Sequence, residues 1–257
     1  MLKPAPARTD LPEIVAHRGD AEHFPENSLP ALESAWRHGI RYAEFDVQFS
    51  ADGVPYMIHD ASLRRTTTST GDLRMTMSGQ LDGVDACEPG RFGRTHAGTH
   101  LPRLTAVAEL MAAFPEARAF VELKRESLVY HGHQYCIDRM LAALAGVLDR
   151  CTVISFDAEA CSLARQSAGL PIGWVFEGRP AAHLAVLEEM QPEFAFCDQF
   201  ELPAEGPLPR GPWTWAVYEV IDAPLARALH ARGVAMVESM APRRLLAELE
   251  RGMERQA

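Results

Sequence analysis

Paired cysteines, long apolar runs and positive charge are all scarce in this sequence. Its five cysteines, Cys87, Cys136, Cys151, Cys161 and Cys197, are odd in number and widely spaced. No CxxC pair occurs, which disfavours a zinc ribbon or a thioredoxin-type site; free buried thiols in a reducing compartment are expected instead. No stretch approaches the ~18 consecutive apolar residues of a membrane span. The segment Met1–Pro12 is polar and proline-rich and lacks the apolar core of a signal peptide. The expectation is a cytoplasmic protein without stable membrane association. Lys and Arg number 25 against 35 Asp and Glu, a net charge of −10. Such an anion is repelled by nucleic-acid backbones and anionic surfaces, so no nucleic-acid partner is expected. The same balance makes a phosphate-bearing substrate awkward at first sight. Neither a G-x-G-x-x-G after the first strand nor a GxxxxGK[ST] loop is present, which counts against two common doubly wound folds.

What is present is a rhythm. The 257 residues are 47% hydrophobic, enough for a large core. Short apolar runs alternate with amphipathic stretches: Glu13–His17, Arg41–Phe49, Pro55–His59, Ala119–Lys124, Thr152–Phe156, Ile172–Phe176, Phe194–Cys197, Thr214–Tyr218 and Val234–Glu238 read as strands. Helical stretches lie between most of them. Repeated strand-then-helix order implies a mainly parallel sheet with helical crossovers. The reading is an α/β fold, a TIM-type (β/α)8 barrel in one domain over residues 1–257. Nine strand candidates exceed eight, and Phe194–Cys197, the weakest, is taken as an accessory piece. An irregular insertion after the third strand, about 62–103, is expected to cap the active site. It carries Arg91, Phe92, Arg94, His96 and His100. His131 and His133 read as loop residues.

Active sites of such barrels lie at the C-terminal strand ends. His17-Arg18-Gly19 ends the first strand, Glu44 and Asp46 lie on the second, His59-Asp60 ends the third, and Glu122 and Lys124 lie on the fourth. Residues two apart on a strand share a face, so Glu44 and Asp46 point together. Two unpaired carboxylates repel and lose solvation unless a hard cation joins them. With Glu122 they form an oxygen set suited to one divalent cation, Mg²⁺, Ca²⁺ or Mn²⁺. An ordinary half-exposed strand would show the same local pattern. Two histidines flanking the carboxylates can divide general base and general acid work. Arg18 and Lys124 are fixed cations for an anionic oxygen. Together these groups suit phosphoryl chemistry.

The sequence resembles the glycerophosphodiester phosphodiesterase family, within the PLC-like phosphodiesterases. The resemblance is carried by His17-Arg18-Gly19, Pro25-Glu26-Asn27-Ser28, Glu44-Phe45-Asp46-Val47, Asp52-Gly53-Val54-Pro55 and His59-Asp60. It continues through Leu63, Arg65-Thr66-Thr67, Gly71, Leu101-Pro102-Arg103-Leu104, Glu122-Leu123-Lys124, Ser155-Phe156, Trp215-Ala216-Val217-Tyr218 and Gly233-Val234. It implies metal-dependent hydrolysis of glycerophosphodiesters to glycerol 3-phosphate and an alcohol. It further implies acid–base roles for His17 and His59, cation ligation by Glu44, Asp46 and Glu122, and phosphate contacts from Arg18 and Lys124. Trp215, at a strand end, is a candidate to stack on substrate. Alternatives are a lysophospholipase D-like or phospholipase C-like enzyme acting on a lipid, or a non-catalytic barrel that binds the same ligands. Tyr218, where Asn is usual, and Glu238-Ser239, where Thr-Asp is usual, depart from the pattern. Both Tyr218 and Glu238 are expected on the rim, near the leaving-group pocket.

Overall fold

The computed structural model describes residues 10–254, so most of the polar stretch Met1–Pro12 lies outside the described residues. Nine strands form one sheet: β1 (Glu13–Ala16), β2 (Tyr42–Phe49), β3 (Pro55–Met57), β4 (Arg118–Leu123), β5 (Cys151–Ser155), β6 (Ile172–Phe176), β7 (Phe194–Asp198), β8 (Thr214–Tyr218) and β9 (Met236–Ser239). Their order is β1-β9-β8-β7-β6-β5-β4-β2-β3, and β1 also pairs with β2. Eight parallel strands therefore close into a TIM barrel, and the ninth hangs on the outside of the ring.

That ninth strand is β3, not the Phe194–Cys197 segment. β7 sits in the barrel, parallel to both β6 and β8. β3 instead pairs antiparallel with β2, Val47 opposite Met57 and Phe49 opposite Pro55. The reason is the connection. The Asp52-Gly53 turn, with Gly53 at φ 75°, joins two strands over a few residues, too short for a parallel crossover. β7 looked weak because its large residues alternate: Phe194 and Phe196 face the barrel interior while Ala195 and Cys197 face outward.

Two apolar layers follow from that alternation. Val15, Phe120, Ile154, Val175, Phe196 and Met236 fill the barrel. Gly173 makes room for them, since a Cβ there would lie 2.9 Å from Ile154 Cγ2. Outward residues such as Phe45, Val121, Val153 and Val217 pack under the helices. The helices are α1 (Leu29–Arg37), α2 (Ser78–Leu81) and α3 (Pro89–Phe92) in the insertion, α4 (Leu104–Ala112), α5 (Arg125–His131), α6 (His133–Ala143), α7 (Ala158–Ala168), α8 (Leu184–Met190), α9 (Ala223–Ala231) and α10 (Pro242–Glu254). Ser28 caps α1, its hydroxyl accepting from Ala31 N at 3.3 Å. His131 and His133 lie in α5 and α6 rather than in a loop, with His133 Nε2 3.0 Å from Asp157 Oδ2.

The 62–103 segment has its own small core, in which Leu63, Leu73, Leu81 and Leu101 pack with Tyr56 and Ile58. It docks on the β1–α1 connection. Glu26 N donates to Glu88 Oε2 at 3.1 Å, Arg91 donates to the Ala21 carbonyl, and the Phe24 and His96 rings lie 5.4 Å apart. This places the insertion beside the barrel mouth.

Candidate active site

β2 turns Glu44 and Asp46 into the barrel, each about 1% exposed. In register with it, β4 sets Glu122 beside Asp46. One donor atom from each of Glu44, Asp46 and Glu122 lies within 4.8 Å of the others. Lys124 Nζ donates to Glu122 Oε1 at 2.7 Å and lies 3.2 Å from Asp46 Oδ1. From β1, the Arg18 backbone N–H donates to Glu44 Oε2 at 3.0 Å, and its Nε lies 3.3 Å from Asp46 Oδ2. Asn27 grips Asp46 twice, Nδ2 donating to Oδ2 at 2.7 Å and Oδ1 accepting from Asp46 N at 3.0 Å. Arg18 and Asn27 both hold positive φ, 57° and 53°. For Arg this is strained backbone, retained where surrounding contacts over-determine it.

His59 arrives by a route other than the expected one. β3 runs back down alongside β2, and Ile58 N donates to the Asp46 carbonyl at 3.1 Å. His59 thereby reaches the level of the carboxylates from an antiparallel return, not from the end of a third parallel strand. Its Nδ1 lies 2.6 Å from Asp60 Oδ1. Asp60 Oδ2 accepts from Arg65 Nε at 2.7 Å, and Arg65 also grips Glu26 through Nη1 (2.7 Å) and Nη2 (2.8 Å). Glu26 in turn accepts from Arg18 Nη1 at 2.8 Å. A continuous chain of charged hydrogen bonds thus runs from His59 to Arg18 through the insertion's Arg65. Glu26, Asp60 and Arg65 all stood in quoted motifs, but only the fold shows that they meet.

The electrostatics divide these groups. Burial, then Arg18 beside it, pulls His17 down to about 3. Burial, then Asp46 and Glu238, pushes Glu44 well above the usual carboxylate range; burial and Asp46 raise Glu122 as well. Burial works against the charge of Asp46 too, but Lys124 and Arg18 outweigh it and hold Asp46 low. Glu44 Oε1 is buried without a hydrogen-bond partner. Two carboxylates that resist ionisation, a third held ionised and one orphaned oxygen fit a hard divalent cation, which would satisfy all of them.

Other residues fall where the sequence did not put them. Trp215 is on the outer face of β8, packed with Phe176 and Trp213, its indole N–H on the Pro209 carbonyl at 2.8 Å. It does not line the cavity, because it and the inward Tyr218 are three positions apart and so face opposite ways. Glu238 is interior rather than on the rim, only 4% exposed, and its Oε1 has no partner. Glu219, which the sequence did not single out, places Oε1 3.7 Å from His17 Nδ1.

These groups surround a cavity of about 150 Å³ at the strand ends. His17, Arg18, His59, Glu122, Lys124 and Glu238 form its charged side; Ile154, Phe156, Val175, Phe196 and Tyr218 form the other, with Glu219 at the edge. No residue of 62–103 lines it, so the insertion is a flanking wall and not the expected cap. A larger cavity of about 540 Å³ lies between the insertion and the β9–α10 turn. Its Arg65, Arg91 and Arg244 are each already paired with a carboxylate. The unpaired polar groups mark the smaller cavity as the chemical one.

A closed barrel with buried carboxylates, histidines and fixed cations at its C-terminal mouth defines the class. The chain belongs to the Glycerophosphoryl diester phosphodiesterase family, which it matches over residues 17–237. The glycerophosphodiester phosphodiesterase of Caldanaerobacter subterraneus subsp. tengcongensis is 33% identical over 119 residues, 46% of this chain and 48% of that protein. Glycerophosphodiester phosphodiesterase 1 of Bos taurus is 34% identical over 112 residues, 43% of this chain and 33% of that protein. The matched stretches thus span a third to a half of the length of these curated relatives. Among solved structures, an Oleispira antarctica phosphodiesterase in complex with the product sn-glycerol-3-phosphate superposes with a TM-score of 0.80 at 23% identity, covering 93% of this chain and 97% of that one. A glycerophosphodiester phosphodiesterase from Agrobacterium tumefaciens gives 0.71 at 24% identity, covering 92% and 100%. At these identities the likeness shows the shared barrel. Among the described residues, no helix is long and apolar enough to cross a membrane.

Proposed function

We propose that the protein is a phosphoric diester hydrolase that splits glycerophosphodiesters into glycerol 3-phosphate and an alcohol, with one divalent cation held by Glu44, Asp46 and Glu122. The observation that carries this reading is that Glu122, His17, His59, Arg18 and Lys124 line one cavity, with donor atoms of the buried Glu44 and Asp46 within 4.8 Å of one from Glu122. Mg²⁺ or Ca²⁺, and Mn²⁺ as well, suit the all-oxygen set. When bound, the cation would neutralise charge on the phosphate oxygens.

The remaining work falls to side chains. Arg18 and Lys124 hold the non-bridging oxygens and position phosphorus. His17 is neutral at physiological pH, because burial and Arg18 keep its proton off, and it accepts the proton of the attacking oxygen. His59 has Nδ1 engaged by Asp60, which leaves Nε2 to donate to the departing alcohol. Asp60 and Arg65 orient that ring, and Glu26 orients Arg18. The 62–103 segment belongs to the same barrel domain and serves as the wall that carries Arg65. The five buried, unpaired cysteines suit a reducing cytoplasmic setting.

The direct test is release of glycerol 3-phosphate from a panel of glycerophosphodiesters with Mg²⁺, Ca²⁺ or Mn²⁺. Turnover that EDTA abolishes is the expected result. No product with any cation, or turnover indifferent to EDTA, would overturn the reading.

A further inference from the structure

β2 turns a third polar side chain to the face that carries Glu44 and Asp46. Gln48 shares that face by the strand period of two and is fully buried. It is not in the carboxylate set and lines neither cavity at the mouth. Burying an amide costs free energy unless both of its ends are paired. Here both are. Nε2 donates to the His59 carbonyl at 2.9 Å, and Oε1 accepts from Ser127 Oγ at 2.6 Å. Ser127 Oγ in turn accepts from Phe49 N at 3.0 Å. That bond fixes the direction of the chain. With Phe49 N–H on its lone pair, the Ser127 hydroxyl gives its proton to Gln48, so the amide N–H side faces His59.

His59 needs such an anchor. β3 is only three residues long, and its pairing with β2 ends where Ile58 N meets the Asp46 carbonyl. His59 stands beyond that point, on the segment that leads into the insertion. Asp60 engages the ring at Nδ1, but a ring held at one nitrogen still moves with its backbone. Gln48 ties that backbone to β2. Ser127 ties the other end of the amide to the first turn of α5, where Ser127 N donates to the Lys124 carbonyl at 3.2 Å. One buried amide thus joins the main chain of His59 to the helix that starts directly after Lys124.

We infer that Gln48 is a positioning residue for His59, held in that role by Ser127. The amide sets where the His59 main chain stands, and so how far Nε2 reaches toward the departing oxygen. This rests on the phosphodiesterase reading above, with His59 as the acid. Misplacing a reacting group by about 1 Å can cost about 10²-fold in rate.

The test uses the leaving group to separate positioning from stability. The alkoxide of glycerophosphoethanolamine needs a proton to depart; the p-nitrophenolate of the p-nitrophenyl ester of glycerol 3-phosphate does not. Gln48→Met keeps the side-chain length and removes both bonds. Its kcat on glycerophosphoethanolamine should fall about 10–100-fold with KM nearly unchanged, and its loss on the p-nitrophenyl ester should be at least about fivefold smaller. Ser127→Ala should show the same split, and Ser127→Thr, which keeps the hydroxyl, should restore most of the rate. In a His59→Ala background, Gln48→Met should add no further loss. If Gln48→Met does not fold, the two Ser127 variants carry the test. Equal losses on both esters, or an unchanged kcat, would overturn this inference and leave the phosphodiesterase reading standing. Turnover of neither ester by the wild type would overturn both.

Discussion

The carboxylates of the barrel mouth and those on its insertion side are the same residue types in opposite electrical states. At the mouth, Glu44, Glu122 and Glu238 are buried together, and burial plus mutual repulsion raises all three. On the insertion side, Glu26 is also buried, yet Arg65 and Arg18 outweigh burial and hold it low. Hydrogen bonds from Arg65, helped by His59, bring Asp60 down to about 2. Glu26 is bound to arginines the chain supplies; Glu44 keeps an oxygen free. The difference separates acids that the chain's own arginines satisfy from acids that keep an oxygen free, as the proposed cation site requires.

The largest effect should come from the histidines. His17→Ala or His59→Ala should lower kcat about 10²–10⁴-fold, with the circular dichroism spectrum unchanged. Near-normal turnover in either would break the acid–base assignment. Next is the paired side. Glu26→Gln leaves Arg65 and Arg18 short of a buried partner and should cost about 3 kcal/mol in denaturant unfolding. A neutral result would show that the Arg65 bridge does not hold the insertion. Asp60→Asn frees His59 from its orienting carboxylate and should reduce kcat about 10–100-fold while KM moves little. A pure KM effect would argue that Asp60 touches substrate instead.

The unpaired side should respond in the opposite sense. In EDTA and at high pH, Glu44→Gln removes an ionisable group from a repelling cluster and should raise the melting temperature, equivalent to about 1 kcal/mol. Lowered stability would mean that Glu44 is already satisfied by the chain. The smallest effect is in pH. Glu26 and Asp60 have folded pKa values below their unfolded ones. Their stabilisation is full above about pH 4–5 and disappears as pH falls through the folded values, near 2 for Asp60. Glu44, Glu122 and Glu238 have raised values, so their contribution is present at low pH and lost as pH rises. The rise in melting temperature on adding a divalent cation should therefore be larger at pH 8 than at pH 5. An equal rise at both would contradict the raised values at the mouth.

Much of this site was legible in the sequence because strands alternate. Glu44 and Asp46 on one face, and Glu122 with Lys124 on another, need only a period of two, and the barrel set them in register. Where the reading failed, tertiary pairing decided. His59 was identified, but the antiparallel return of β3 that delivers it depends on the tight Asp52-Gly53 turn. Trp215 was assigned to the site although the same alternation sets it opposite Tyr218. Helix α5 was missed because polar residues begin it and Gly132 breaks it from α6. Glu238 looked like rim, yet its pairing opposite Val15 carries it into the interior. The Arg65 bridge joins residues 39 positions apart and has no local signature.

The central claim is that the mouth carboxylates form a cation site. Calorimetric titration of Mg²⁺, Ca²⁺ and Mn²⁺ into EDTA-stripped protein and into Glu44→Gln tests it most directly. The expected result is one ion bound per chain, at least tenfold more weakly in the variant, a loss of about 1.4 kcal/mol. No binding by the wild type, or equal affinity in the two proteins, would contradict it.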